Sequence, residues 1–240
     1  MEEGLRLADE GIYLNEDRFT EPKEMFKFIF SVLPHRFQGN MDSLLDVGCA
    51  TGELIHFFRT RFPALHCMGV DVSEEMIEKA RQIQPEVVFS TGDLRTGLHT
   101  DGREFDLVCS VGVLQIFDDI VEPIKNLLGA VKAGGCLCIA GSFNNHNIDV
   151  LMRYRAGGDR RKMWETGWNL FSQQTVEDTL LSIKKNISIR WYDFEMPFPL
   201  LEQVDPMRSW TIQTETNRHQ LVNGAAQLLF TKVLVVQDLG

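Results

Sequence analysis

The segment LLDVGCATGEL (residues 44–54) places an aspartate and two glycines at a spacing suited to ligand binding. Asp46 lies two residues before Gly48, and Gly52 follows after a further four. In a turn that binds a pyrophosphate, bare backbone amides meet the phosphates and the pattern begins with glycine. Asp46 occupies that first position here, and its carboxylate would repel a phosphate. We therefore expect a ligand that is cationic or rich in hydroxyl groups.

Three more groups of polar residues lie at or just after apolar runs. Asp71, 25 residues after Asp46, lies near the end of the run HCMGVDV, where a carboxylate can accept hydrogen bonds from both hydroxyls of a ribose. Alone, Asp71 is weak evidence, and Asp46 or Asp93 in isolation would more often be a turn or cap residue. The order of the groups favours a binding site, because a ligand stretched across a sheet edge would meet them in turn. The other two groups are Gly92, Asp93 and Leu94, and Ser110, Val111 and Gln115.

Short apolar runs alternate with helical patterns along most of the chain. Near-continuous apolar runs are typical of strands buried on both faces of a parallel sheet. Alternating strands and helices predict a doubly wound α/β fold that binds ligands at the carboxyl ends of its strands. The predicted strands are 43–47, 66–72, 86–92, 105–111, 135–142, 186–196 and 227–237. The predicted helices are 22–33, 53–61, 74–83 after a Ser73 cap, 120–131 up to the pair Gly134–Gly135, and 175–185.

The motif LLDVGCATG and the spaced carboxylates resemble the class I S-adenosylmethionine-dependent methyltransferases, a family with a Rossmann-like, mostly parallel seven-stranded sheet and helices on both faces. Ala50 stands where the family usually has a middle glycine. The resemblance covers roughly residues 40–142 and implies S-adenosylmethionine as cofactor and S-adenosylhomocysteine as product. It implies that the first turn packs against the methionine part, that Asp71 binds the ribose and that Asp93 with Leu94 faces the adenine. The cofactor residues it implies are Asp46, Gly48, Cys49, Ala50, Gly52, Asp71, Val72, Met76, Gly92, Asp93, Leu94, Ser110, Val111 and Gln115.

One domain spanning residues 1–240 is expected, with three parts. Residues 1–40 form an N-terminal helical cap, 41–142 the cofactor-binding half and 143–240 the acceptor-binding half. Two stretches of the last part, 143–170 and 197–224, are long for connections and are expected to be lid-like insertions.

The methyl acceptor is expected to contact these variable parts. His146 and His219 are the candidate general bases, although a loop histidine is more often solvated or structural. The aromatic and polar side chains fit a lid over a partly apolar ligand. Arginines in the first insertion could hold a carboxylate or phosphate of the acceptor, although a charge run is usually a solvated face. The aromatic and histidine candidates are Tyr13, Phe143, His146, Tyr154, Trp164, Trp168, Trp210 and His219, and the arginines are Arg153, Arg155, Arg160 and Arg161.

Composition limits the partners. The chain has 34 acidic and 24 basic residues and a net charge of −10, which opposes binding to a nucleic-acid backbone. It has no run of about 18 apolar residues and no signal-peptide core, so no membrane is expected and the protein is predicted to be cytoplasmic. The five cysteines form neither a CxxC pair nor a metal-ligand spacing, which predicts reduced thiols and no metal.

The function favoured by these observations is methyl transfer to a small molecule, at oxygen in preference to other atoms. A sugar- or lipid-linked intermediate is an alternative acceptor. Two further alternatives are a non-catalytic partner protein with this fold and a nicotinamide-dependent oxidoreductase. The displaced glycine pattern and the lack of a Tyr-x-x-x-Lys pair count against the oxidoreductase. The oligomeric state is left open.

Overall fold

The computed structural model describes residues 19–39, 41–155, 163–202 and 208–240, and its centre is a seven-stranded sheet. Its strands are β1 Ser43–Val47, β2 His66–Asp71, β3 Val88–Thr91, β4 Phe105–Val111, β5 Val131–Ser142, β8 Ile187–Asp193 and β12 Thr231–Asp238. They lie in the order β3-β2-β1-β4-β5-β12-β8, and β12 is the one strand of this sheet that runs opposite to the other six. The predicted doubly wound, mostly parallel α/β architecture is confirmed.

Helices cover both faces of the sheet because successive strand residues point to opposite sides. Leu44 belongs to the core on one face and Leu45 to the core on the other. The first core includes side chains of α1, α3 and α4, and the second includes side chains of α5 and α6. The helices are α1 Glu24–Val32, α2 His35–Gly39, α3 Glu53–Arg59, α4 Glu74–Ile83, α5 Val121–Gly129 and α6 Gln173–Ile183, with a 3₁₀ turn at Leu114–Ile116.

Two small sheets lie outside the central one. One is a hairpin of β6 Arg153–Tyr154 and β7 Glu165–Thr166, within the 143–170 stretch. The other joins β9 Trp210–Ile212, β10 Gln220–Val222 and β11 Leu228–Leu229. The two long connections therefore contain short strands, which their irregular sequences did not predict.

The predicted boundary between the fourth central helix and the fifth strand was wrong. The helix ends at Gly129, and β5 begins at Val131, where the sequence analysis still placed helix. Gly134 has a φ of 75° and lies inside the strand, where the pairing of β4 with β5 shifts register. The glycine pair thus marks a bulge in a long strand and not the end of a helix.

Two other boundaries differ from the prediction. The predicted strand 227–237 is divided at Phe230 into β11 and β12, and α2 was not predicted. Of the predicted N-terminal cap, residues 1–18 lie outside the described part of the chain. Within the described residues, no helix has both the length and the apolar character needed to cross a membrane.

Candidate functional site: a cleft at the carboxyl ends of the strands

The cleft lies where the chain order of the strands reverses. β1 pairs in parallel with β2 on one side and with β4 on the other, so the loops after these strands diverge at their carboxyl ends. Ligands bind at this position in open α/β sheets. Residues from β1, β2, the β3 loop, the β4 loop and the segment before α1 line the cleft. They are Lys23, Phe26, Asp46, Val47, Gly48, Cys49, Ala50, Glu53, Leu54, Asp71, Val72, Ser73, Met76, Gly92, Asp93, Leu94, Val111, Gly112, Val113, Ile116 and Phe117.

The turn after β1 depends on three left-handed residues. Gly48, Ala50 and Gly52 have φ values of 78°, 48° and 89°. Ala50 thus adopts the conformation that the usual glycine would take, and its N–H donates to Asp71 Oδ2 at 2.9 Å. The other oxygen of Asp71 accepts from Ser73 N at 3.0 Å, which links the turn to the start of α4.

Gly48 allows the loop after β4 to approach the turn closely. A Cβ built on Gly48 would lie 2.2 Å from Cγ2 of Val113, far inside van der Waals contact. The turn and the β4 loop therefore form opposite sides of one narrow cleft only because residue 48 lacks a side chain.

Two carboxylates are buried in the cleft wall. Asp46 and Glu53 are each 3% exposed. Burial raises the pKa of Asp46 well above its usual value, and the neighbouring charges of Glu53 and Asp71 raise it further. The positive charge of Lys23 lowers the pKa of Asp46, and Lys23 is the one cationic side chain among the described lining residues. The deep part of the cleft therefore favours a cationic ligand.

Asp93, at the other end of the cleft, is held by an arginine. Its two oxygens accept from the guanidinium of Arg95 at distances of 2.7 to 3.1 Å, and the Arg95 N–H donates to Oδ1 at 2.8 Å. The hydrogen bond from Arg95 is the main cause that lowers the pKa of Asp93.

Three of the fourteen sequence-predicted cofactor residues do not line the cleft. Gly52 caps α3, and a Cβ there would lie 2.6 Å from Gln84 Nε2, so the glycine serves packing. Ser110 is a buried residue of β4. Gln115 donates from Nε2 to the Ser142 carbonyl at 3.1 Å and packs against Gly141. The other eleven lie in the lining.

Neither histidine candidate lies in the cleft lining. His146 is exposed, and its backbone N–H donates to Asn144 Oδ1 at 3.0 Å in the loop after β5. His219 precedes β10, and its Nδ1 lies 2.8 Å from the Met196 carbonyl oxygen, an acceptor for an Nδ1–H. The His219 ring is thus held by a carbonyl of a distant segment, and both histidines lie outside the cleft lining.

Asn169, which the sequence analysis did not single out, joins the first insertion to the cleft. It is fully buried, and its Nδ2 donates to the Phe117 carbonyl at 2.7 Å. Its Oδ1 accepts from Met152 N at 2.7 Å, and its own N–H donates to the Gln115 carbonyl at 2.9 Å. The segment Leu114–Phe117, part of which lines the cleft, is thereby fixed to the insertion. The sequence pattern could not predict this role of Asn169, because it depends on contacts with residues far away in the sequence.

The described arginine and aromatic candidates contact other parts of the protein. Arg153 forms an ion pair with Asp118, directly after the cleft-lining Phe117. The guanidinium of Arg155 lies 4.7 Å from the ring centre of Trp164. The rings of Tyr154 and Trp168 lie 5.2 Å apart. Phe143 is buried against Trp191, and Trp210 lies in β9. Tyr13, Arg160 and Arg161 lie outside the described residues.

No three His, Cys, Asp or Glu side chains of the described segments are arranged to hold a metal ion.

Comparisons with known sequences find methyltransferases. A family model described as a methyltransferase domain matches residues 44–135, which include the turn after β1, Asp71 and Asp93. The trans-aconitate 2-methyltransferase of Methylobacterium radiotolerans is 33% identical over 95 residues, which are 40% of this chain and 36% of that protein. The malonyl-[acyl-carrier protein] O-methyltransferase of Priestia megaterium is 30% identical over 131 residues, 54% of this chain and 47% of that protein. The matches thus span less than half of each relative.

Solved structures of methyltransferases share the fold over nearly the whole chain. A chain from the complex of the Haloferax volcanii Trm112 methyltransferase activator with a methyltransferase has a TM-score of 0.64 at 14% identity, and the match covers 98% of this chain and 99% of that one. S-adenosylmethionine-bound CalS10, an amino pentose methyltransferase from Micromonospora echinaspora, has a TM-score of 0.55 at 18% identity, with 99% of both chains covered. Residues 44–135 thus match a methyltransferase domain, and the central sheet of this chain has the fold that these solved methyltransferases share.

Proposed function

We propose that this chain binds S-adenosylmethionine in the cleft and transfers its methyl group to an oxygen of a small-molecule acceptor. The observation that carries the proposal is the combination of buried carboxylates and a glycine turn at the strand-order reversal. Bound there, the cofactor supplies an activated methyl group on a sulfonium, and the protein has to align the acceptor and exclude water.

The chemistry of the lining fits this cofactor. S-adenosylmethionine carries two positive charges, on the sulfonium and on the ammonium, and Asp46, Glu53 and Asp71 offer negative charge. The adenosine part would extend toward Asp93 and Leu94, along the loops after β2 and β3. The apolar side chains of Phe26, Val113 and Ile116 would shield the reacting atoms from water.

A carboxylate oxygen is the acceptor group that we favour. It is already ionised at neutral pH, so its methylation needs no general base, and the described cleft lining contains no histidine. Two of the matched methyltransferases are named for trans-aconitate and for a malonyl group, and each of these carries a free carboxylate. The candidate bases His146 and His219 have no place in this proposal.

The test is an acceptor screen with S-adenosylmethionine labelled in the transferred methyl group. We expect label transfer to members of a panel of di- and tricarboxylic acids, trans-aconitate and malonyl thioesters included. The product label should be released by mild alkali, since methyl esters hydrolyse where ethers and methylamines do not. Alkali-stable label would move the acceptor to a hydroxyl or amine, as in the sugar-linked alternative.

Binding has to be measured beside turnover. Calorimetric titration with S-adenosylmethionine, S-adenosylhomocysteine and NAD should show saturable binding of the first two only. If both bind and no acceptor in a broad panel is methylated, the non-catalytic partner role replaces the enzymatic one. If neither binds, the proposed function is wrong.

A further inference from the structure

Glu53 has a carboxylate oxygen that no contact within the protein explains. It is the first residue of α3, directly after the turn, and it lines the cleft while being only 3% exposed. Its Oε1 is buried and has no hydrogen-bond partner among the described residues. A buried polar atom without a partner costs folding free energy and is rare in proteins. The N-terminus of α3 favours a carboxylate at this position, but it leaves this oxygen without a hydrogen-bond donor.

The neighbours of Glu53 make the cost larger. Asp46, across the turn, is equally buried, and the charge of Glu53 contributes to the raised pKa of Asp46, so the two carboxyl groups interact. Asp71 adds a third negative charge to the same wall. Two buried like charges destabilise the folded protein unless a cation lies between them or a proton is taken up.

A cation that neutralises these carboxylates also has to donate hydrogen bonds if it is to satisfy the unpaired oxygen. A sulfonium carries positive charge but has no N–H or O–H, so it cannot satisfy the unpaired Oε1. A primary ammonium carries the charge and three donors, which is enough for two carboxylates.

We propose that Glu53 is a second carboxylate, beside Asp46, for the α-ammonium group of the cofactor's methionine part. This inference rests on the proposed cofactor and deepens it by assigning a residue that the glycine motif does not contain. Glu53 then recognises the amino-acid part of the ligand and is indifferent to the adenosine part.

The test compares ligands with and without the amino-acid part. Glu53→Gln keeps the shape of the side chain and removes its charge. We expect it to weaken the binding of both S-adenosylmethionine and S-adenosylhomocysteine about tenfold or more, the usual effect of losing a charged hydrogen bond. Binding of 5′-methylthioadenosine, which has the adenosine part but no ammonium, should change less than about twofold.

Glu74→Gln is the matched control. Glu74 is likewise the first residue of a helix, but it lies outside the cleft lining and pairs with Arg81 at the surface. This variant should bind all three ligands as the unmodified protein does. The ligand-free Glu53→Gln protein should also melt at a higher temperature than the unmodified protein, since a buried charge without a partner has been removed.

The outcomes separate the inference from the proposed function. Equal weakening of all three ligands, with a lowered melting temperature, would make Glu53 a structural residue and overturn the inference. Unchanged binding of the two amino-acid ligands by Glu53→Gln would overturn it as well. If the unmodified protein binds 5′-methylthioadenosine or no ligand, but neither S-adenosylmethionine nor S-adenosylhomocysteine, the proposed function itself fails and the inference with it.

Discussion

At the scale of single residues, Asp46 makes stability depend on pH. Its pKa in the folded protein lies well above 3.8, chiefly because burial disfavours the charged form. The protonated carboxyl therefore stabilises the folded state fully below about pH 4, and this contribution is lost as the pH rises through the raised pKa. A residue of the cleft lining is here kept at a cost to the stability of the ligand-free protein.

Asp46→Asn should remove the loss of stability that ionisation of Asp46 causes as the pH rises. We expect the free energy of unfolding of the ligand-free variant to exceed that of the unmodified protein at neutral pH and to approach it near pH 4. Urea denaturation between pH 4 and pH 8 measures the difference. Asp101→Asn, at an exposed residue, is the control and should give a curve parallel to the unmodified protein. A parallel curve for Asp46→Asn would show that the carboxyl is not protonated preferentially in the folded state.

At Gly48, the absence of a side chain leaves room for the loop after β4. Gly48→Ala should shift the β4 loop, because the new Cβ would meet Val113 Cγ2, and it should cost stability and cofactor affinity together. Gly112→Ala is the control, since Gly112 has a similar φ of 74° and open space around it, and should cost only about 1–2 kcal/mol of backbone strain. Adding Val113→Ala to Gly48→Ala should restore part of both losses, as measured by thermal melting and calorimetry. If the double variant is no more stable and binds the cofactor no better than Gly48→Ala, the contact with Val113 is not the cause of the losses.

At the scale of elements, Asn169 fixes the first insertion to the segment after β4. Asn169→Ala should leave the Phe117 carbonyl and the Met152 N–H without their partner and lower the free energy of unfolding by about 1–3 kcal/mol. Asn145→Ala, at an exposed position in the same insertion, should change it by less than about 0.5 kcal/mol. Chemical denaturation of both variants measures the contrast. Equal stabilities would show that the insertion is not held through this side chain.

The sequence predicted the elements that carry a regular pattern. The seven central strands and the turn after β1 follow from apolar runs and from glycine and aspartate spacing, which are local properties. The small strands β6, β7, β9 and β10 could not be predicted, because two or three residues show no period. The boundary at Gly134 was misplaced because a glycine ends helices and forms strand bulges equally well.

The sequence likewise predicted only part of the cleft. Residues of the glycine turn and the strand ends are set by the motif, and most of them lie in the lining. Other lining residues lie outside the motif. Lys23 precedes α1, Phe26 belongs to α1, and Ile116 and Phe117 follow β4, so only tertiary packing brings them to the cleft. Glu53 was missed although it adjoins the motif, because a glutamate that begins a helix is ordinary in sequence and unusual only once its burial is known.

At the scale of the whole molecule, the thiols are protected from reaction. All five cysteines are free, and four of them are buried. Burial raises the pKa of the Cys49 thiol, aided by the nearby Asp46 and Asp71, and it raises the pKa of the half-buried Cys67 to about 12. Since the thiolate is the reactive form, the native fold should resist thiol reagents.

We expect the native protein to react with Ellman's reagent slowly at pH 8, and all five thiols to react at once in guanidinium chloride. The slow rate should follow opening of the fold and should fall further when S-adenosylmethionine is added, because a ligand stabilises the closed state. Cys67→Ser is the control and should leave the slow phase of the buried thiols unchanged. A thiol that reacts within seconds in the native protein would contradict this account.

The position of β12 in the sheet has a consequence for the order of assembly. β12 pairs with β5 along one side and with β8 along the other, and β8 has no other partner strand in the sheet. β8 precedes β12 by almost 40 residues, so it is made first but has no site to join until the later strand has been added. During synthesis, the backbone N–H and C=O groups of residues 187–193 therefore stay unpaired until β12 is available. This pairing over long sequence separation predicts a slow last folding step and a need for chaperone protection before it.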